Sequence, residues 1–137
     1  MLKRLISLFM VLFILAGSTV GSNALNVGGV SAEPRWNNVY DIAITLEEYS
    51  GKLNLTVYID GLDNTFMNDI SIGLFKMTRP NQGTVAQWSG MSTTSNYYFF
   101  NQLVEAEPSG SYRVIVRFNA VRNGVSEAVN AHLDKVF

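Results

Sequence analysis

The chain has 137 residues, no cysteine and nearly balanced charge, with 10 Lys and Arg against 11 Asp and Glu. That length holds one domain, and the lack of cysteine excludes a disulfide framework, a thiol nucleophile and a lipid-bearing cysteine. No basic cluster is present to neutralise phosphates, which argues against nucleic acid and anionic membrane surfaces as partners.

The N-terminus sets the expected compartment. Lys3 and Arg4 precede an apolar run, Leu5 to Ala16, broken only by Ser7. The run is about a dozen residues long, against the roughly 20 needed to span a bilayer as a helix. A basic start, a short apolar segment and then small residues is the layout of a secretory signal peptide. Cleavage is expected after Ala32 (Val30-Ser31-Ala32) or after Ala24 (Ser22-Asn23-Ala24). Ala32 is favoured because Asn26 to Ser31 is a spacer with no packing use. The division is then a signal peptide over 1–32, carrying its helix, and a domain over 33–137. Loss of Lys3 and Arg4 leaves 8 basic against 11 acidic residues, a net charge of −3.

Beyond the leader the apolar period is two, the mark of half-buried strands. Val39 to Glu48 predicts a first strand with Tyr40, Ile42, Ile44 and Leu46 on one face against Asp41, Ala43, Thr45 and Glu47. Tyr49-Ser50-Gly51 turns the chain. In Lys52 to Asp60 the residues Leu53, Leu55, Val57 and Ile59 point one way and Asn54, Thr56, Tyr58 and Asp60 the other. Gly61 to Asn68 reads as a polar loop. Ile70, Ile72 and Leu74 mark a third strand, with Phe75 and Met77 on its opposite face.

Arg79 to Gly83 is a turn by composition, and Val85 to Gly90 a short fourth strand carrying Trp88. Asn96 to Glu105 holds the consecutive aromatics Tyr97, Tyr98, Phe99 and Phe100. After the loop Ala106 to Gly110 comes the clearest strand, with Tyr112, Val114, Val116 and Phe118 opposite Arg113, Ile115, Arg117 and Asn119. Asn123-Gly124 fits a type I′ hairpin turn, which needs positive φ at both centres, and a last strand runs from Val125 to about Leu133. Seven short strands with turns every eight to twelve residues predict an all-β, Ig-like antiparallel sandwich, with a small barrel as the alternative.

Gly110-Ser111-Tyr112-Arg113-Val114 resembles the start of strand F in immunoglobulin and fibronectin type III domains, where a tyrosine bonds back to the preceding corner. Glu33-Pro34-Arg35-Trp36, Trp88, Gly110-x-Tyr112 and Asn123-Gly124-x-x-Glu127 together resemble a group of small exported β-sandwich proteins of Gram-positive, clostridia-type bacteria. That resemblance implies compartment and fold and supplies no activity.

Few residues carry chemistry. His132 is the only histidine, which excludes multi-histidine zinc sites and leaves no alternative base for a triad. Glu105 and Glu107, or Glu47 and Glu48, are pairs of the kind glycosidases use, but solvated loop charges explain them as well. Asp60, Asp63, Asn64, Asn68 and Asp69 crowd one connection with hard oxygen ligands of the type Ca²⁺ takes. They lack the EF-hand spacing, and Asx-rich turns occur without metal. No cofactor is expected apart from this candidate Ca²⁺ site at Asp60, Asp63, Asn64 and Asp69.

The aromatics are the most informative group, because alternation puts two of Tyr97, Tyr98, Phe99 and Phe100 on each face. On the third and sixth strands Phe75, Met77 and Ile115 share an outer face with Arg113 and Arg117, unless a bulge or the segment at Trp36 covers them. The expectation is a secreted, non-enzymatic binding module for a protein or surface glycan. Its contact residues would come from Phe75, Met77, Ile115, Arg113 and Arg117, or from the open pair among Tyr97, Tyr98, Phe99 and Phe100. The alternatives are a carbohydrate-binding module with Trp88 and Tyr97 or Tyr98 as a platform, and a secreted toxin or inhibitor. The C-terminal Asp134-Lys135-Val136-Phe137 carries no wall-anchoring signal, so release is expected over tethering, with no stable membrane insertion after cleavage.

Overall fold

The computed structural model describes residues 36–78 and 82–137. The expected leader and its expected helix, both expected cleavage sites, Glu33-Pro34-Arg35 and residues 79–81 of the predicted turn lie outside the described residues. Seven strands follow in order: β1 (Val39–Tyr49), β2 (Lys52–Gly61), β3 (Thr65–Met77), β4 (Gln82–Thr93), β5 (Tyr97–Val104), β6 (Ser111–Arg122) and β7 (Val125–Val136). They form two antiparallel sheets, ordered β1-β2-β5 and β4-β3-β6-β7. This is the Ig-like sandwich expected from the sequence. Its fourth strand pairs with the third, whereas in constant-type immunoglobulin domains that strand joins the first sheet.

The period of two builds the core directly. Leu53, Leu55, Val57 and Ile59 of β2 face Ile70, Ile72 and Leu74 of β3 and Val114 and Val116 of β6 across the interior, all fully buried. Each such side chain contributes about 1.5–3 kcal/mol by leaving water. Two hairpins keep the alternation in phase. Ser50 and Gly51 stand at φ +50° and +75°, and Asn123 and Gly124 at +52° and +77°. Both are tight turns of the I′ kind, whose twist matches that of the strands they join.

Four sequence expectations need correction. Tyr40 does not share the face of Ile42, Ile44 and Leu46: a register shift between Val39 and Asp41 turns it outward, and it is 77% exposed while Val39 is buried. The polar loop is shorter than Gly61 to Asn68, since β3 already begins at Thr65 and contains Asn68 and Asp69. There the chain bulges against β6 between Asn68 and Ser71, with Asp69 at φ +52°, so Asx residues that read as loop form a kink within a strand. The fourth strand is twelve residues, Gln82–Thr93, not the short Val85 to Gly90. The last strand runs on to Val136.

One end of the sandwich, where β2 ends and β1 begins, is fastened twice. Gly61 N–H donates to Asn96 O at 2.6 Å and Asn96 Nδ2 donates to Gly61 O at 3.1 Å. A Cβ on Gly61 would stand 2.9 Å from that same Asn96 oxygen, so the approach requires glycine. At the same end, the Glu127 carboxylate accepts the backbone N–H of Asn37 at 2.9 Å and of Asn38 at 2.8 Å, and Asn38 O accepts from Leu62 N–H beside Gly61. The buried Asn38 side chain in turn donates to Ala120 O and Val125 O. These bonds fix the segment ahead of β1 against the β6–β7 hairpin. Hydrogen bonds to a charged group are stronger than neutral ones, so Glu127→Ala is expected to cost about 1–2 kcal/mol in urea unfolding. Wild-type stability in that variant would show that the latch contributes nothing.

Candidate functional site

Register divides the four consecutive aromatics. Phe100 pairs with Val57 and Tyr98 with Ile59, both inward-facing residues of β2, so Phe100 and Tyr98 turn toward the interior. The Phe100 ring meets Trp88 of β4 edge-on at a centroid distance of 5.0 Å, bridging the sheets at their β4–β5 side. Tyr98 is half-buried and its hydroxyl donates to Met91 Sδ at 3.0 Å; burial pushes its phenol above the ordinary value. Trp88 and Tyr98 therefore sit between the sheets, and only Tyr97 of the platform candidates lies open.

Tyr97 and Phe99 take the opposite side. They pair with Asp60 and Tyr58, whose side chains leave the outer face of the three-stranded sheet. Tyr58 is 38% exposed, Tyr97 55% and Phe99 61%. Leu103, 47% exposed, continues the row along β5. Asn101 lies between Phe99 and Leu103 and donates to Asn54 Oδ1 at 3.0 Å and Thr56 Oγ1 at 2.8 Å. Beyond Tyr97 the row ends in Asp60 and its cross-strand neighbour Asp41. The face thus has an apolar, mostly aromatic centre, an amide and hydroxyl cluster on one side and carboxylates on the other. Tyr97 and Phe99 are the open pair expected from the four aromatics, whereas Tyr58 and Leu103 stand outside the residues singled out as contact candidates. Their exposure follows from parity in the β2–β5 register, which alternation within one strand cannot supply.

The outer face of the four-stranded sheet brings the other candidates together with less open area. Phe75 pairs with Arg113, Gly73 with Ile115 and Ser71 with Arg117. Phe75, Met77 and Ile115 are half-buried. A Cβ on Gly73 would fall 2.6 Å from the Phe75 ring, so that ring lies against the bare backbone of Gly73 and covers it. Arg113 is engaged by Asp134, with Nε to Oδ1 at 2.6 Å and the second guanidinium nitrogen to Oδ2 at 2.8 Å. The bidentate bond holds the Asp134 carboxyl below the usual carboxylate range. Farther along, Asp69, Arg117, Asn119 and Asn130 line a shallow cleft of about 310 Å³.

The candidate Ca²⁺ ligands are distributed over several elements. Asp60 is the last residue but one of β2, Asp63 and Asn64 occupy the turn, and Asp69 sits in the β3 bulge, where Asn119 Nδ2 donates to it at 3.3 Å. The Asp63 carbonyl accepts from Arg122 Nε. Among the described residues no group of three His, Asp or Glu side chains is placed to hold a metal ion. His132 is exposed on the outer side of β7, opposite Ile115. Comparison with protein-family models and with curated proteins finds no match for the chain.

Proposed function

We propose that the chain is an exported, non-enzymatic interaction module that engages its partner through the outer face of the β1-β2-β5 sheet. The observation that carries this reading is the open aromatic row of Tyr58, Tyr97 and Phe99 on two adjoining strands. Rings held at the surface of a rigid sheet supply contact area at little entropic cost, and a few such residues dominate most interfaces. Export rests on the leader, whose apolar segment fits a signal peptide and is too short to span. The partner is a protein or a surface glycan. The glycan reading draws on one further feature, the Asn101, Asn54 and Thr56 cluster beside Phe99, which sets hydrogen-bonding groups next to a ring able to stack on a sugar.

The test is capture of cell-surface and host-surface fractions on the protein recovered from the culture medium, whose N-terminus should be Glu33, or Leu25 if the alternative site is used. Tyr58→Ala with Phe99→Ala should weaken binding at least about 30-fold, the equivalent of about 2 kcal/mol at a contact hot spot. The melting temperature should stay within about 2 °C, since both side chains are exposed. Met77→Ala and Ile115→Ala, on the other sheet, should leave binding unchanged. The opposite pattern would move the site to the four-stranded sheet. Periodate oxidation of the captured fraction separates the partners, because it abolishes binding only to a glycan.

A further inference from the structure

A sandwich of two open sheets has four edge strands, and each presents a row of unpaired backbone groups that can recruit another strand. Three of the four edges here carry features that discourage such pairing. β1 is kinked by the register shift at Val39 and Asp41, bears Glu47 and Glu48 near its end, and comes close to β7. β7 carries Glu127, Asp134 and Lys135, with Glu127 occupied by the segment ahead of β1. β4 shifts register against β3 at three places and passes through positive φ at Gly90.

β5 comes close to β4 on its inner side but has no register shift and no positive φ. Its sequence, Tyr97-Tyr98-Phe99-Phe100-Asn101-Gln102-Leu103-Val104, contains no charge, no proline and no glycine. It pairs with β2 over all eight residues without a register shift, and its other edge is unpaired among the described residues. High β-propensity, straightness and absence of charge are the combination that favours strand addition. A partner strand must tolerate the same uncharged surface, and β5 of a second copy meets that condition without repulsion.

We infer that β5 pairs antiparallel with β5 of a second copy, joining the two three-stranded sheets into one of six. In a two-fold antiparallel pair, facing residues share a face, so the dyad must pass through a residue. Centring it at Asn101 sets Phe99 against Leu103 of the second copy on the outer face and Tyr98 against its Val104 on the inner face. Apolar side chains then meet apolar side chains at four of the cross-strand positions. Centring at Phe100 would instead oppose Phe99 to Asn101 and Tyr98 to Gln102. The Asn101 register also covers the exposed parts of Phe99 and Leu103. The pairing takes Phe99 out of the open row, so it competes with a partner bound at that ring, and it is tested without one.

Sedimentation equilibrium on the soluble protein recovered after expression of the full chain reads the association without any ligand. Twice the monomer mass is expected at about 100 μM, an ordinary range for a small interface. Phe99→Lys with Leu103→Lys places charges at the junction and should return the mass to that of a monomer with melting unchanged. The chain has no cysteine, so a single Asn101→Cys places one thiol at the dyad, and mild oxidation should link the dimer. Thr45→Cys, on the same face but on β1, should not link. A monomer mass up to roughly 1 mM overturns the inference. So does a dimer that the two lysines leave intact, or one that Thr45→Cys links as readily as Asn101→Cys.

Discussion

Replacing Tyr112 with alanine is expected to cost about 3–5 kcal/mol, and replacing it with phenylalanine about 1 kcal/mol. Tyr112 lies at the start of β6, buried, at the point where the chain has just crossed from one sheet to the other. Its hydroxyl donates to Glu107 O at 2.6 Å, five residues upstream, in the tyrosine-corner arrangement of immunoglobulin-like domains. Its ring meets Phe137 edge-on at 6.0 Å, and the Lys76 ammonium stands 5.3 Å from its centre. Phe137 N–H in turn donates to Gly110 O. One side chain thus ties together the crossing loop, the end of β3 and the C-terminal residue.

Alanine removes the ring and leaves a cavity beneath the loop. Phenylalanine keeps the ring and loses only the hydroxyl, and because Glu107 is exposed, water takes over the freed carbonyl. That places the phenylalanine variant at the low end of the range for a lost hydrogen bond. Urea unfolding of the two variants separates packing from bonding. Equal losses in both would mean that the hydroxyl carries the corner, contrary to this account.

Much of this architecture is legible in the residues themselves, because strand alternation and turn chemistry are local. β2 and β6 alternate without interruption and are buried as their sequences read. Asn123-Gly124 turns where two positive φ values are needed, and Gly110-Ser111-Tyr112 marks the corner. What escapes the sequence is set by pairing with distant strands. Nothing near Tyr40 announces the bulge that exposes it, since the bulge exists only in register with Gly61 and Asp60. Asn68 and Asp69 carry a loop-like composition, yet their flanks pair with β6 and leave them as a kink. The Glu127 latch joins residues about ninety positions apart.

The exposed aromatic face is half legible for the same reason. Alternation requires Tyr97 and Phe99 to share one side and Tyr98 and Phe100 the other, but not which side is wet. That is decided by Val57 and Ile59, opposite Phe100 and Tyr98. On the third strand, Phe75 reads as an outward apolar residue, which it is. Gly73, two residues earlier, lets its ring lie back on the backbone, so it offers less open surface than its position suggests.

Neighbouring phenylalanines should therefore behave in opposite ways. Phe100→Ala is expected to cost about 3–5 kcal/mol, while Phe99→Ala should fall within about 0.5 kcal/mol of wild type under dilute, monomeric conditions. Phe100 is buried between the sheets and supplies the edge-on contact to Trp88. The two sheets have few other residues in common along the β4–β5 side, so losing that ring weakens the closure there as well as the core. Trp88 itself reports the event: without Phe100 its indole becomes more open to water and its emission should shift to the red. Phe99, one residue away, has no such neighbour, and its removal should leave the emission unchanged. Urea titration followed by tryptophan fluorescence measures both effects in one experiment. Comparable losses at the two positions would place Phe99 in the core and remove the aromatic face on which the proposed function rests.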